Sequence, residues 1–300
     1  PLLSGPASSS QQSHISKVIE VSHKQAYGNK PRTGYDKIEI TPKELLNSAV
    51  FNWARVVGMF SLNGTEMLFT SGEEERIDLL KFYLESARKS VKESFEEGIV
   101  SDGTAQGGRQ MIGFGGAIPI VANTGIYGGI NRADVAAWRT SEFNATTDFA
   151  ALGNVWDATT ARPMISQMTL NRSRGSQYPD LWIFDSNSWQ AVEASFVAHQ
   201  RLATERSARL GYSGMAYHTA AGLVDLVAAG SIGNVMPANT AFGIDTNNLS
   251  IYEFPGQSFV PFHPAGGLRP INQDAMAQGI VWSGQMVVEN PLSMIRLVTA

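Results

Sequence analysis

The densest set of residues able to handle a phosphate lies between Gly113 and Arg132, where GFGGAIPIVANTGIYGGINR carries six glycines around an apolar run. A dinucleotide site needs G-x-G-x-x-G between a strand and a helix, so that main-chain N–H groups close on a pyrophosphate. Gly113 and Gly115 fill the first two positions, but Ile118 stands where the third glycine belongs. A P-loop needs Gly-Lys followed by Ser or Thr, and no Gly-Lys pair occurs in the chain. These glycines point instead to tight turns and close backbone approach.

Acid–base chemistry has thin material. Asp180 and Asp185 flank the apolar run PDLWIFD and could imitate a carboxylate pair, with His199 or His218 as a base. Acids at strand ends more commonly cap turns. The histidines at 14, 23, 199, 218 and 263 are scattered and show no metal-ligand spacing. Gly211-Tyr-Ser213-Gly214 misses the nucleophile-elbow pattern by one residue. With no cysteine, disulfides, thiolate metal sites and cysteine nucleophiles are excluded. The expectation is no catalytic residue, no metal site and no cofactor.

Composition narrows the class. The chain has 300 residues, 43% apolar and 17% charged, with a formal net charge of −4. That length supports a self-sufficient core. The acidic balance argues against a dedicated nucleic-acid binder, and no basic–aromatic stripe suggests base stacking. No apolar run reaches membrane-spanning length, and PLLSGPASSSQQS lacks the pattern of a signal peptide.

Residues 1–35 are rich in Ser, Gln, Gly and Pro and have too little apolar surface to fold alone. They read either as a disordered tail or as an arm that orders against a partner. Residues 51–60 predict a strand, Asn63-Gly64 a hairpin turn, and 65–69 the return strand. Ser71-Gly-Glu-Glu74 has the form of a capping box. Ile77, Leu80, Leu84, Ala87, Val91 and Phe95 then recur at three- and four-residue spacing and predict a helix over 73–97, with Gly98 as its stop. At 1.5 Å per residue this spine is about 38 Å long. Further helices are predicted around 156–174 and over 188–210, with short strands at 179–185 and within GLVDLV, LSIYEF, GIVWSGQMVVEN and SMIRLVT.

In order, these pieces resemble the major capsid protein of tailed double-stranded DNA bacteriophages, which has the α+β Hong Kong 97-like fold. The local text that carries the resemblance runs through SDGTA, RQMIGFGGAIPI, GIYGGINRADVAAWR, YPDLWIFD and RLGYSGMAY, roughly residues 60 to 220. The resemblance implies an N-terminal arm (1–35), an extended β-hairpin loop (36–71), a peripheral domain built on the spine helix (72–180 with a terminal strand at 282–300) and an axial domain (181–281). It further implies a structural protein, not an enzyme, that assembles with itself into hexamers and pentamers of an icosahedral phage head. Portal and scaffolding proteins, and a decoration protein, would be its partners. It would live in the virion and, during assembly, the host cytoplasm, holding double-stranded DNA by weak non-specific contact and meeting no membrane. A heterologous contact that closes into rings suits a chain whose arm and ribbon lack surfaces of their own, and a mildly acidic wall suits confinement without adhesion.

Two alternatives remain at this point. An encapsulin-like bacterial nanocompartment shell has the same fold, although such shells tend to begin with a helix rather than a polar arm. A hydrolase built on Asp180 or Asp185 with His199 or His218 is the other. Some relatives of the capsid family join subunits through a loop lysine and a neighbour's asparagine. The expected tip, 51–69, has no lysine, and Arg55 cannot act as a neutral nucleophile. A shell held by non-covalent contacts is therefore expected, running on a denaturing gel as one band near 32.4 kDa.

Overall fold

The spine predicted from the apolar spacing is the longest helix among the described residues. In a computed structural model that describes residues 14–20, 46–69, 73–196, 214–229, 236–262 and 274–299, it spans Glu73–Val100. The strands and helices before it are β1 (His14–Glu20), β2 (Leu46–Asn52), β3 (Ala54–Asn63) and α1 (Gly64–Phe69), and the spine is α2. Leu80, Leu84, Ala87, Val91 and Phe95 line its inner face, while Lys81, Glu85, Arg88, Lys89, Lys92, Glu93, Glu96 and Glu97 remain exposed. Gly98 does not stop the helix. It lies inside the last turn, where an added Cβ would come within 3.2 Å of Met111. Ser71 and the proposed capping box fall outside the described residues.

The chain divides into two compact units. The first comprises 52–113 and 251–286 within its described part. Here α2 packs on a sheet of β3, β11 (Leu249–Glu253), β12 (Val260–Pro261) and β13 (Ala275–Val288). β3 pairs antiparallel with β13 in a ten-residue register from Ala275↔Asn63 to Gly284↔Ala54. Alternation along β3 turns Ala54, Val56, Gly58, Phe60 and Leu62 inward and leaves Arg55, Val57, Met59 and Ser61 exposed. Phe60 stacks on Tyr83, and Phe95 sits edge-on to Trp282 with centroids 4.6 Å apart. After α2 comes a short helical turn, α3 (Ala105–Gly108), and the chain then enters the second unit with another, α4 (Phe114–Ala117).

The predicted local hairpin is corrected. Residues 64–69 form α1, not a return strand. Asn63 Oδ1 accepts the Thr65 N–H, the habit of a helix N-cap, and Gly64 N–H donates to the Asp274 carbonyl at 2.8 Å. The ladder to β13 is longer than a five-residue return strand could offer. The ribbon lies elsewhere: β1 pairs with β2 in a two-stranded sheet. Residues 14–20, expected to lack a surface within their own chain, thus have one. The segment between these strands contains Lys24, Lys30, Lys37 and Lys43. A lysine-free tip therefore no longer supports the expectation of a non-covalent shell.

Within its described part the second unit comprises 14–51, 114–250 and 287–299. Its elements are β4 (Ile126–Tyr127), β5 (Ile130–Asn131), β6 (Ser141–Asn144), α5 (Ala161–Asn171), β7 (Leu181–Phe184), α6 (Ser186–Phe196), β8 (Gly214–His218), β9 (Leu223–Ala228), β10 (Thr240–Ile244) and β14 (Ile295–Val298). A six-stranded mixed sheet runs β6-β14-β10-β7-β9-β8. Met164, Ile165 and Met168 of α5 and Val192 of α6 are buried with Trp182, Phe184, Leu226, Ile295 and Leu297 of the sheet. Opposite Trp182 stands Gly243, where a Cβ would approach the indole to 2.9 Å. The helix predicted around 156–174 is the shorter α5, and the one predicted from 188 begins at Ser186 and is described as far as Phe196.

The close passage of β3 over α2 gives a test. A Cβ on Gly58 would lie 2.4 Å from Val91 Cγ2. Gly58→Ala should cost about 1–3 kcal/mol by overpacking. Val91→Ala removes the obstructing methyl, so the double variant should be more stable than the summed single effects predict. Urea unfolding of the four proteins measures this, and strict additivity would show that the two residues do not meet.

Candidate functional site

Asp180 and Asp185 occupy opposite ends of β7. Five residues of extended chain separate them by about 16 Å, beyond the spacing of a glycosidase pair. Each is engaged by main chain. Asp180 Oδ1 accepts the Thr246 N–H at 2.7 Å, and its other oxygen takes the Thr246 hydroxyl. Asp185 is buried and accepts N–H groups from Ser188, Asn187 and Asn239, which caps the start of α6. His218 is exposed at the end of β8, two strands from β7 and so about 10 Å away. His199 and Ser213 lie outside the described residues. Among the described residues no cluster of three or more His, Asp and Glu could hold a metal, and no helix is long and apolar enough to cross a membrane.

The glycine-rich stretch is where the sequence builds something particular. Gly113 stands where the chain passes the end of α2; a Cβ there would lie 2.1 Å from the Ile99 carbonyl oxygen and 2.2 Å from that of Gly98. Gly128 and Gly129 both have positive φ and make the two-residue turn joining β4 to β5, the geometry of a type I′ hairpin. A side chain at 128 would also meet Phe51 at 2.7 Å. Gly113 thus faces carbonyl oxygens, which repel an anion, and Gly128 faces an aromatic ring.

Between them, two buried arginines hold the main chain. Arg132 is only 2% exposed. Its Nη2 donates to the carbonyls of Gly116 (2.7 Å) and Ala117 (2.9 Å), and its Nη1 to that of Thr124 (3.2 Å). Arg296 of β14, also buried, donates to the Ile118 carbonyl at 3.3 Å. Glu142, the register partner of Arg296, accepts the Ala122 N–H at 2.9 Å. Burial pulls both guanidinium groups below the usual arginine range. Each also lies over an aromatic ring, Arg132 on Tyr127 and Arg296 on Phe242.

Tyr127 ties this loop to the root of the β1–β2 ribbon. Its ring meets Phe51 edge-on at 4.9 Å, its hydroxyl accepts the Val288 N–H, and its carbonyl accepts the Trp138 indole N–H. Val50 N–H donates to the Gly128 carbonyl at 2.9 Å, and Lys17 of β1 pairs with Glu289 at 2.7 Å. The ribbon thus leaves a fixed base. Sequence reasoning found the glycines but not Arg132, Arg296 or Tyr127. One signal was present: no Asp, Glu, Lys or Arg occurs between Arg109 and Arg132, so the charge that ends such a stretch has a reason to be there.

Burial raises the Tyr127 phenol above the ordinary tyrosine value of about 10, outweighing the Val288 N–H and the Arg132 charge, which lower it. The folded protein holds this phenol neutral, whereas in the unfolded chain it ionises near pH 10. Its contribution is therefore complete below that pH and lost as pH rises beyond it. Tyr127→Phe should cost about 1–3 kcal/mol at neutral pH, because the Val288 N–H loses its acceptor. Between about pH 9 and 11 the variant should lose stability less steeply than the wild type, and equal slopes would dismiss the buried phenol as the cause.

No protein-family model matches the chain, and no curated protein does. Solved structures do match. The chain is similar to a subunit of the cyanophage A-1(L) capsid, with TM-score 0.63 and 14% identity over 97% of this chain and 88% of the other. It is similar to the capsid of Myoviridae phage XM1, with TM-score 0.57 and 10% identity over 98% and 88%. The capsid of an empty GTA particle gives TM-score 0.55 and 13% identity over 97% and 93%. At these identities what is shared is the fold, and it extends over nearly the whole chain: the Hong Kong 97-like fold of phage capsid proteins.

Proposed function

We propose that this chain, having the Hong Kong 97-like capsid fold, is a major capsid subunit that assembles with itself into the closed head of a tailed phage. The observation that carries the reading is the extent of the fold likeness, which covers nearly the whole chain rather than the sheet core alone. Hexamers and pentamers as building units, packaged double-stranded DNA, and portal, scaffolding and decoration partners belong to the proposal, as does location in the virion. So does a purely structural role without catalysis.

The domain assignment is part of the same reading. The extended loop is here taken as the β1–β2 ribbon with residues 21–45 joining its strands, and the residues before β1 as the arm. The peripheral domain, expected over 72–180 with a terminal strand at 282–300, is taken as α2 with its sheet; β6, α5 and β14 of that range belong with the mixed sheet, which serves as the axial domain expected over 181–281. A ribbon rooted by Phe51, Tyr127 and the Lys17–Glu289 pair can carry load from a neighbour into a folded core, which a free arm cannot.

The nanocompartment alternative shares this fold, and cargo separates the two. Purified chain, alone or with its scaffold, should form closed particles by negative-stain microscopy. Particles from infected or induced cells should carry nucleic acid rather than an enclosed enzyme. A strictly monomeric chain under all assembly conditions would defeat the shell reading, and particles filled with one protein cargo would favour the nanocompartment.

A further inference from the structure

We infer that the open edge of β3 receives an extended segment of a second copy of this chain, which adds to the sheet as a further strand. The inference rests on the capsid reading above and begins from the direction of the main chain. β13 lies between β3 and β12. The Gly279 carbonyl accepts the Phe262 N–H, and the Ser283 carbonyl accepts that of Phe254. Odd-numbered residues of β13 thus point away from β3 and even-numbered ones point towards it. In the antiparallel register Ile280 stands opposite Gly58, so the main chain of Ala54, Val56, Gly58, Phe60 and Leu62 bonds to β13. That of Arg55, Val57, Met59 and Ser61 points to the other side, where no strand lies among the described residues.

Those four residues are exposed, and their N–H and C=O groups make no hydrogen bond among the described residues. A long open edge is ordinarily defended by a lysine, a proline or a bulge. β3 has no lysine and no proline, and its ten-residue register with β13 runs without a bulge. The side chains beside the edge are apolar, Val57 at 39% exposure and Met59 at 53%. A row of unpaired main-chain donors and acceptors flanked by apolar side chains is the receiving half of strand addition.

The spine limits what can enter. An added strand would lie about 4.8 Å from β3, whereas two packed helices need about 8–10 Å between their axes. α2 stands over β3, with Val91 and Ala87 against Gly58. A second β3 carrying its own α2 therefore cannot pair here, and the occupant is an extended segment with no helix above it. Stoichiometry selects its source. Every copy has one such edge, and a population of subunits with all of them open would join edge to edge without order. A second copy supplies one occupant for each edge, in a head-to-tail contact of the kind that closes into rings. Charge agrees with this source. Arg55 is the only charged residue of β3, lies over the Phe262 ring and forms no ion pair among the described residues. A copy of this chain brings a net charge of −4 towards it.

Amide exchange resolved to single residues reads the contact directly. In the unassembled full-length chain the amides of Arg55, Val57, Met59 and Ser61 should exchange freely while those of Val56, Gly58, Phe60 and Leu62 are protected. In particles that contain only this chain the odd-numbered set should slow by about a hundred-fold or more. Val57→Pro removes only an outward N–H, which an edge strand tolerates, so the unassembled variant should fold and then fail to assemble. Val57→Thr keeps both the shape and the N–H and should assemble at the wild-type concentration. Should Val57→Pro not fold, exchange in the wild type decides alone. Odd-numbered amides that exchange as fast in particles as in the unassembled chain, or a folded Val57→Pro that assembles like the wild type, would overturn this contact and leave the capsid reading standing. Odd-numbered amides already protected before assembly, or protected only in particles that retain a second protein, would give the edge another occupant and overturn it too. A wild type that forms no particles would remove the capsid reading and this contact with it.

Discussion

A guanidinium buried without a carboxylate must find its hydrogen-bond partners in main chain, and around Arg132 that requirement shapes everything nearby. Three carbonyls, from 116, 117 and 124, have to converge on one planar fork. Convergence forces the intervening chain into a closed loop rather than a strand or helix. Gly125, with φ of 83°, permits the reversal that brings Thr124 back. The following hairpin then sets Tyr127 against Arg132 on one side and Phe51 on the other. The ribbon root, the braced loop and the start of β5 are thus arranged around one buried charge, whose Nη groups find carbonyls while its Nε finds no partner. Removing either the donor or its acceptors would leave buried polar groups without partners, which is costlier than the bonds are stabilising.

The first unit is organised by a different constraint, the single apolar face of α2. A helix of 28 residues with charged residues over most of its circumference must bury its stripe against something long and flat. β3 and β13 supply this through a ten-residue ladder. Small residues set the distance: Gly58 lies under Val91 and Ala87, and Gly279 lies beside the Gly58 carbonyl. Larger residues there would lift the helix away. The same alternation that turns Gly58 inward leaves Val57 and Met59 outward, so the sheet's second face stays available in part.

Whether an element was legible in the sequence depended on how local its causes are. The spine was, because spacing along one helix records which face is buried. The strands β7, β9, β11 and β14 were, because each is a short apolar run between turn residues, and β13 was over the apolar run that starts at Gly279, though it begins at Ala275. The β1–β2 ribbon was not. HISKVIE has a polar alternation that reads as arm, and its partner strand lies beyond residue 45. Asn63-Gly64 misled for a related reason, since Asn caps helices as readily as it turns hairpins, and the choice was made by Asp274 and β13, far along the chain. Asp180 and Asp185 were legible as strand-end acids that cap turns, though not Asp185 as the cap of α6. The arginine clamp was invisible, because carbonyls carry no residue identity and any sequence supplies them.

Charge distribution connects these local arrangements to the capsid reading. In the second unit, charged groups that are buried serve the interior: Arg132 and Arg296 bind carbonyls, Asp185 caps α6, and buried Asp245 accepts from Asn247 and Asn248. Along the glycine-rich stretch, by contrast, side chains that face outward are uncharged. A protein that works alone gains solubility from a charged surface and has little reason to leave large aliphatic side chains such as Ile120 and Ile126 in water. A subunit that meets many copies of itself has the opposite need, because every charge at a repeated contact is multiplied by the symmetry. The glycines that first suggested a phosphate cradle serve instead tight turns at 125, 128 and 129 and the close approach of Gly113 to the end of α2.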